Sequence, residues 1–237
     1  MVDFHTHILP GIDDGSPDVK TSVEMLQSLY SQGIDKVVLT PHFYLAKDSS
    51  KNFFHKREKA LNELLKEVGN MDNIPKLILG AEVLLYPEIS GLADLERFCI
   101  EGTNYLLVEM PFFKWSNNNY ETLEKIRRGG IIPIIAHIER YFKTQKDKNM
   151  IYRLLDIGCM LQANASFFNS VLTRRKALKL LRGEMIHFIG SDCHDLKKRS
   201  PNIGNAYKII EEKHGQYSID NLEYVSGMVL QNANFRL

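Results

Sequence analysis

Two sets of residues that can bind metals lie near opposite ends of the 237-residue chain. Asp3, His5 and His7 alternate along one short apolar run, and Asp192 and His194 alternate at the end of another. Short apolar runs of this kind are typical of buried strands. Side chains two positions apart on a strand point the same way, so each set would share one face. We therefore expect a closed parallel sheet whose strand ends converge on one polar centre.

Further acids and histidines fall where other predicted strands end. Taken singly, such a histidine is more often structural than a ligand, and an aspartate beside a glycine is most simply a turn residue. Four carboxylates buried together without cations would repel one another and lose their hydration, and five imidazoles do not offset that cost. Divalent metals do. We therefore predict a metal centre with nine ligands, namely His5, His7, Asp14, His42, Glu82, Glu109, His137, Asp192 and His194.

The composition of this set narrows the choice of metal. Nine ligands exceed what one ion takes, so two or three ions with a bridging carboxylate are expected. The set mixes imidazole nitrogen with carboxylate oxygen and includes no thiolate, which excludes a structural cysteine–zinc site. It fits catalytic manganese, iron or zinc, and the carboxylate content favours manganese or iron. We expect Mn²⁺.

Two arginines follow histidines of this set at short distances. Arg140 comes three residues after His137, and Arg199 comes five residues after His194. Both would lie in loops above the predicted centre. The planar guanidinium group can bind a phosphate through two parallel hydrogen bonds. The pair therefore predicts an anionic substrate, most simply a phosphate ester.

The elements that position these residues alternate between strand and helix along the chain. Amphipathic helices are predicted between the strands, and two more, at about 206–213 and 220–229, follow the last strand. This order predicts an α/β fold with a parallel sheet and helical crossovers, in one domain spanning 1–237. Polar residues at the carboxyl ends of strands are typical of α/β barrels. The seven predicted strands are residues 2–7, 35–42, 76–85, 105–110, 131–138, 160–164 and 187–194.

Charge and composition restrict the partners. Thirty basic and 29 acidic side chains give a formal net charge of +1, so no global field attracts nucleic acid. No apolar run approaches the roughly 20 residues of a membrane helix, and no signal peptide is visible. The three cysteines are odd in number and far apart, which suits a reducing compartment. We expect a cytoplasmic protein that neither binds nucleic acid nor inserts into a membrane; its oligomeric state stays open.

Several short motifs together resemble the polymerase-and-histidinol-phosphatase (PHP) superfamily. The match runs in order along nearly the whole chain. Within the superfamily the chain most resembles the manganese-dependent protein-tyrosine phosphatases of bacterial capsule and exopolysaccharide operons, the CpsB/YwqE type. The segments that carry this closer resemblance are residues 5–15, 133–141, 162–166 and 194–199. The superfamily motifs are Asp3-Phe-His5-Thr-His7, Thr40-Pro-His42, Gly80-Ala-Glu82, Glu109, Ala136-His137 and Ser191-Asp192-Cys-His194.

The resemblance implies a distorted (β/α)₇ barrel that is related to the TIM barrel and holds three metals. It implies that Glu82 bridges the first and second metals and that Arg140 and Arg199 bind the phosphate. The implied substrate is the phosphotyrosine-rich tail of a cytoplasmic bacterial tyrosine kinase that controls polysaccharide export. The implied ligands are His5, His7 and Asp192 for the first metal, Glu109 and His137 for the second, and Asp14, His42 and His194 for the third.

As a hypothesis for the chemistry, a hydroxide that bridges two metals attacks phosphorus in line while the arginines stabilise the equatorial oxygens. Asp14 and His194 are candidates for acid assistance, of which a phenolate leaving group (pKa about 10) needs little. No Cys-x5-Arg loop exists, so Cys193 is interpreted as a core residue. Three rival functions stay open: a histidinol-phosphate phosphatase or other phosphoesterase of the superfamily, a metal-dependent nuclease, and a non-catalytic metal-binding regulator.

Aromatic residues are frequent in the loops after the predicted strands. Most of them are expected to pack the loops onto the barrel. The ring of a phosphotyrosine must nevertheless extend above the metals, and aromatic contacts there would favour it over a small polar phosphate. We predict that Phe43 and Trp115 contact this ring. The other aromatics of these loops are Tyr44, Phe112, Phe113, Phe167 and Phe168.

Overall fold

The computed structural model describes residues 1–147, 149–231 and 233. All strand pairings within that range are parallel. The strands are β1 (Val2–Thr6), β2 (Lys36–Leu39), β3 (His42–Phe43), β4 (Lys76–Leu79), β5 (Glu82–Leu84), β6 (Tyr105–Glu109), β7 (Ile132–Ile135), β8 (Met160–Asn164) and β9 (Phe188–Gly190). The α-helices are α1 (Val19–Ser31), α2 (Ser50–Val68), α3 (Asn117–Arg128), α4 (Met150–Asp156), α5 (Ala165–Asn169), α6 (Val171–Arg182), α7 (Ile203–His214) and α8 (Gln216–Val229), and 3₁₀ turns cover Pro87–Gly91, Leu95–Phe98 and Ile138–Lys143.

The nine strands of the described residues correspond to the seven predicted ones, because two predicted strands are each interrupted and form two shorter strands. Thr40 and Pro41 separate β2 from β3, and Gly80 and Ala81 separate β4 from β5. Proline has no amide hydrogen to give to a strand ladder, which explains the first break. The breaks divide the hydrogen bonding into one sheet with the order β1-β2-β4 and another with the order β3-β5-β6-β7-β8-β9. Because the interrupted strands contribute to both sheets, the two sheets form one continuous wall.

The first and last strands close this wall into a barrel. Thr6 and Cys193 form a parallel bridge. The amide of Asp192 donates to the carbonyl of His5 at 2.8 Å, and the amide of His7 donates to the carbonyl of Cys193 at 3.0 Å. The prediction of a distorted (β/α)₇ barrel is confirmed, and its irregular hydrogen bonding is the distortion.

Apolar side chains from strands all round the barrel meet in one buried cluster, which we call the barrel floor. Phe4 of β1, Leu107 of β6 and Phe188 of β9 belong to it, together with Val229 of α8. Side chains from distant strands of a barrel can meet only inside it, so the floor fills the interior. Glu109 comes two residues after Leu107 on β6 and shares its face. The polar strand ends therefore lie directly above the apolar floor.

Amphipathic helices cover the outer face of the wall. The 19-residue helix α2 begins after Ser49, whose side chain accepts a hydrogen bond from the amide of Asn52. Such a cap satisfies one of the free amides at a helix start. The helix buries Leu61 and Leu64 against the barrel. Among the described residues, no helix is both long enough and apolar enough to cross a membrane.

The last strand ends earlier than the sequence indicates. Of the predicted strand 187–194, only Phe188–Gly190 forms a strand. Asp192 has a left-handed backbone with φ of 54°, and His137, just after β7, has φ of 34°. Residues other than glycine rarely adopt this conformation, which costs on the order of 1–3 kcal/mol. The prediction that Asp192 and His194 lie on a strand is wrong, although both reach the same centre.

Candidate metal centre

The structure brings the nine predicted ligand residues together at the carboxyl end of the barrel. His137 contacts the cluster through Nε2, which lies 2.9 Å from Glu82 Oε1 and 3.5 Å from Glu109 Oε1. The other eight fall into three groups, and the candidate ligand atoms of each group lie within 4.8 Å of one another. These groups are His5, His7 and Asp192; His7, Asp14, His42 and His194; and His42, Glu82 and Glu109.

The Glu82 carboxylate occupies the middle of the cluster. Its Oε2 atom lies 3.0–3.2 Å from ring nitrogens of three histidines, namely His5, His7 and His42. The side chain is fully buried. Burial by itself raises the pKa of Glu82, but the charges and hydrogen bonds of the surrounding histidines outweigh it and hold the pKa well below its usual value. This carboxylate is therefore an anion that faces several imidazoles at once.

Each histidine of the first motif is held by a partner on its outer nitrogen. His5 Nδ1 donates to Gln162 Oε1 at 3.1 Å, and His7 Nδ1 donates to Asp13 Oδ2 at 2.8 Å. When each ring is neutral, as a metal ligand must be, these bonds leave the Nε2 lone pairs facing the centre, where the two Nε2 atoms lie 3.1 Å apart. Two nitrogens that share one ion at about 2.1 Å are separated by about this distance.

Asp13 is a site residue that the sequence interpretation missed. Besides His7, its carboxylate accepts hydrogen bonds from the amides of His42 at 3.0 Å and Gly15 at 2.9 Å. Burial lowers the pKa of His7, but the charge of Asp13 outweighs burial and raises it to about 10. The only sequence feature that could have indicated this role of Asp13 was its place next to Asp14 and Gly15. From the sequence alone, that pattern predicts only a turn.

Two amides of β8 connect the ligands across the centre. Gln162 Oε1 also accepts from the amide of His137 at 2.7 Å, and its Nε2 donates to Asn164 Oδ1 at 3.0 Å. Asn164 Nδ2 in turn donates to Asp192 Oδ2 at 2.8 Å. One buried network thus positions His5, His137 and Asp192. In the sequence, the only sign of this network was that Gln162 and Asn164 alternate at the end of a predicted strand. The family resemblance includes both residues but implied no role for them.

The two arginines reach the centre from its open side. Arg140 and Arg199 both donate to the Asp192 carboxylate, Arg199 over 2.6 Å. Their side chains remain 34% and 36% exposed, so each keeps a surface that an incoming anion can contact. Burial raises the pKa of Asp192, but the charges of His5 and then Arg140 outweigh burial and lower it. The arginines lie above the centre as the sequence predicted.

Asp14 and His194 form the outer edge of the cluster. Asp14 is 66% exposed, and its Oδ1 lies 3.5 Å from the Nε2 atoms of both His42 and His194. Burial, followed by the charge of His7, lowers the pKa of His194 to about 4. Its position beside Asp14 and His42 is compatible with a ligand role.

The prediction for the two aromatic residues is wrong. The ring of Phe43 is 1% exposed and packs against Phe98 at 4.3 Å, although the residue borders the cavity beside His42. Trp115 is 6% exposed, and its Nε1 donates to the carbonyl of Pro111 at 2.8 Å. Both rings are packed into the protein and have almost no surface with which to contact a substrate.

Two neighbouring aromatics border the centre instead. Tyr44 stacks on the His42 ring with 5.0 Å between centroids, and Phe112 stacks on the His137 ring at 5.9 Å. Phe112 is 48% exposed. Cys193 is fully buried, and burial raises its pKa well above the usual value, so it is a core residue as predicted and carries no thiolate.

The donor atoms present fit divalent metals. Glu82 Oε2, His42 Nδ1 and His194 Nε2 are buried and make no hydrogen bond within the described residues. Leaving such an atom unsatisfied costs about 1–3 kcal/mol, more where the group is charged. Coordination to a cation would satisfy all three. The set of imidazole nitrogen and carboxylate oxygen without sulfur suits a catalytic rather than a structural metal site.

The chain is similar in sequence and fold to known proteins over nearly its whole length. It is 30% identical over 233 residues to the tyrosine-protein phosphatase CpsB of Streptococcus pneumoniae, with 91% of each chain covered. It is 29% identical over 224 residues to the tyrosine-protein phosphatase YwqE of Bacillus subtilis, with 91% of this chain and 85% of YwqE covered.

A solved structure extends the likeness to three dimensions. A chain from the crystal structures of YwqE from Bacillus subtilis and CpsB from Streptococcus pneumoniae, described as metal-dependent tyrosine phosphatases, matches with a TM-score of 0.84 and 26% identity. The match covers 99% of this chain and 96% of that one. A family model for capsular polysaccharide synthesis, CpsB/CapC, matches residues 1–234. The chain therefore belongs to the CpsB/CapC family of capsular polysaccharide synthesis.

Proposed function

We propose that this chain is a metal-dependent protein-tyrosine phosphatase that acts in capsular or exopolysaccharide synthesis. The observation that carries the proposal is the convergence of nine nitrogen and oxygen donor residues with two arginines at the open end of the barrel. Membership of the CpsB/CapC family supports it. So does similarity over 91% of both chains to a protein named tyrosine-protein phosphatase.

In this proposal the donors divide as the family resemblance implies: His5, His7 and Asp192 would hold one ion, Glu109 and His137 a second, and Asp14, His42 and His194 a third. Glu82, which contacts histidines of two groups, is suited to bridge. We propose Mn²⁺ because the set is rich in carboxylate, while iron and zinc fit the same donors. When bound, such ions supply a water-derived nucleophile at neutral pH and neutralise phosphate charge. The proposed ligands are His5, His7, Asp14, His42, Glu82, Glu109, His137, Asp192 and His194.

The arginines bind and orient the phosphate in this proposal. Arg140 and Arg199 approach Asp192 from the open side and keep about a third of their surface exposed. Each guanidinium can donate two hydrogen bonds to phosphate oxygens and can stabilise the charge that develops on them during in-line displacement. The two arginines and the ligand cluster would therefore hold the phosphate from opposite sides.

Asp14 is the group of the centre that is best placed to exchange protons with solvent. Its carboxylate is 66% exposed and lies 3.9 Å from a guanidinium nitrogen of Arg199. Asp14 and His194 are the candidates for assisting the departure of the phenolate, whose pKa of about 10 demands little assistance. Asp192 and Glu82, in contrast, are buried.

The proposed substrate is the phosphotyrosine-containing tail of a bacterial tyrosine kinase that regulates polysaccharide synthesis. The family assignment to capsular polysaccharide synthesis supports this context. The proposed location is the cytoplasm, where such a kinase tail would be phosphorylated. The three cysteines, all free and buried, agree with a reducing compartment.

A side-by-side assay tests the proposal. Protein stripped with EDTA and reconstituted with Mn²⁺ is given a phosphotyrosine peptide, histidinol phosphate and single-stranded DNA. We expect hydrolysis of the peptide only, no activity before Mn²⁺ is returned, and more than one bound metal equivalent by elemental analysis. Arg140→Ala should abolish most peptide hydrolysis, whereas the exposed Arg128→Ala, on the outer helix α3, should not.

Three outcomes would contradict the proposal. Preferential hydrolysis of histidinol phosphate would assign a small-molecule phosphatase. Cleavage of DNA would assign a nuclease. Full activity with one metal equivalent or fewer would exclude the multinuclear centre.

A further inference from the structure

A groove leads away from the metal centre between the loop that precedes α1 and the start of α2. A cavity of about 430 Å³ opens beside Asp14 and His42. A second cavity of about 450 Å³ adjoins it, and Ile12 and Lys56 line both. The second cavity continues to Pro17 at the start of α1. The two cavities adjoin along Ile12 and Lys56, and we call them together the α1–α2 groove.

We propose that the α1–α2 groove binds the polypeptide that flanks the phosphotyrosine of the substrate, with an acidic side chain next to the phosphotyrosine. The inference rests on the proposed function and deepens it, because it names the surface that would bind the chain next to the phosphotyrosine. Each cavity alone has the volume of a typical ligand site, about 300–1,000 Å³. A small ester held at the centre would leave the second cavity empty.

One wall of the groove is a loop that is fixed before any substrate binds. The Gly11 amide donates to the carbonyl of Ser16 at 2.8 Å, and the Ser16 amide donates to the carbonyl of His7 at 2.9 Å. Ser22 Oγ of α1 donates to the carbonyl of Ile8 at 2.6 Å. A wall that is already ordered lowers the entropy lost on binding. The same loop carries Asp14, so the groove and the metal centre share one structural unit.

The other wall presents an aromatic ring and a positive charge close to the centre. Tyr44 stacks on His42, and the ammonium group of Lys47 lies 4.6 Å from the centre of the Tyr44 ring. Lys47 is exposed and forms no ion pair with a carboxylate among the described residues. Asp48, in contrast, already accepts hydrogen bonds from Ser49 and Lys56. In this cavity Lys47 is therefore an exposed cation that lacks a carboxylate partner among the described residues, and it could pair with an acidic residue of the substrate.

The first experiment blocks the groove from each wall in turn. Ile12→Trp and Lys56→Trp each put a bulky ring where the two cavities meet. We expect either substitution to raise KM for a phosphotyrosine peptide about tenfold, equivalent to about 1.4 kcal/mol, while KM for free phosphotyrosine changes less than about twofold. Lys66→Trp is the matched control, because Lys66 is exposed on the same helix but does not line either cavity.

The second experiment tests the charge. Two peptides carry either glutamate or lysine beside the phosphotyrosine. We expect the wild-type protein to prefer the glutamate peptide in kcat/KM, and Lys47→Ala to reduce that preference about two- to fivefold, the size of an exposed ion pair. Lys66→Ala should leave the preference unchanged.

The outcomes separate this inference from the proposed function. If the wild-type protein hydrolyses neither the peptide nor free phosphotyrosine, the proposed function fails. If it hydrolyses both but the tryptophan variants raise both KM values equally, or neither, the groove does not bind the flanking chain. If the wild-type protein does not prefer the glutamate peptide, the acidic neighbour is wrong. If Lys47→Ala leaves that preference intact, Lys47 does not recognise the acidic side chain.

Discussion

The apolar barrel floor and the candidate metal centre meet on strand β6, where residues two positions apart belong to different regions. The two regions are stabilised in opposite ways. Leu107 belongs to the barrel floor, where buried side chains satisfy one another by packing alone. Glu109 lies above it in a cluster of buried charges that contains atoms without hydrogen bonds. The comparison teaches that the floor is satisfied by packing among its own side chains, whereas the centre keeps polar atoms that cations would satisfy. Substitutions in the two regions should therefore affect different measurements.

The largest effect is expected from the middle of the centre. Glu82→Gln keeps the size of the side chain but removes the anion that faces three imidazoles. Bound metal ions stabilise the charge of the transition state by several kcal/mol. If the variant loses them, kcat for a phosphotyrosine peptide should fall by about 10³-fold or more. Bound metal, measured by elemental analysis, should fall in parallel. Glu88→Gln, at an exposed position outside the cluster, is the control. If Glu82→Gln kept the wild-type kcat, the metal centre would not differ from the barrel floor in its effect on activity.

The floor should respond in stability rather than activity. Leu107→Ala leaves a cavity among packed side chains and should reduce the free energy of unfolding by about 2–5 kcal/mol. Urea unfolding followed by circular dichroism measures the change. Turnover per folded molecule and metal content at low temperature should stay near wild type. A variant with unchanged stability and lost turnover would show that the floor takes part in the chemistry.

An intermediate effect is expected from the residues that hold the ligands in place. Gln162→Ala removes hydrogen bonds to His5, His137 and Asn164 at once. Loss of an outer-shell partner typically costs about 10–100-fold in metal affinity or activity. Titration with Mn²⁺ should therefore give a weaker dissociation constant, and saturating Mn²⁺ should restore part of kcat. The exposed Gln216→Ala is the control. Unchanged Mn²⁺ affinity would mean that packing, not Gln162, orients His5.

The smallest effect is expected where the centre meets solvent. Phe112 stacks on His137 and is 48% exposed, whereas Phe113 is 66% exposed and has no ring contact with the ligands among the described residues. Phe112→Ala should weaken inhibition by phenylphosphonate about two- to tenfold, the value of an aromatic contact, and leave inhibition by methylphosphonate unchanged. Phe113→Ala should change neither. Equal loss for both inhibitors would indicate that Phe112 only supports His137.

The sequence predicted the barrel and the convergence of nine ligands because both depend on simple periodicities. Strand–helix alternation implies parallel strands, and polar residues at their carboxyl ends then meet at one face. Phe43 was predictable by the same rule and was wrongly assigned. His42 points into the centre, so its neighbour on β3 must point away, into the packing around Phe98. Tyr44, one residue later, returns to the side of His42.

The remaining features depend on contacts between distant segments, which periodicity does not describe. Asp13 reaches His7 and the amide of His42 across a turn, and its role is set by the loop conformation. Asp192 reaches the centre through a left-handed residue rather than along a strand. Contacts with the surrounding structure hold a non-glycine residue in the left-handed conformation, so no local sequence pattern predicts it.

The bridge between Thr6 and Cys193 joins the start of the chain to a segment that is synthesised much later. The barrel can therefore close only near the end of synthesis. The amide of Ser191 donates to Asp3 Oδ1 at 2.9 Å, across 188 positions of sequence. A ribosome that adds about 5–20 residues per second needs roughly 10–40 s to travel that far. During this interval the nascent chain contains His5 and His7 without Asp192, and it has no closed barrel in which to hold an ion. For the proposed metal centre, loading is therefore expected to follow closure of the barrel rather than to precede it.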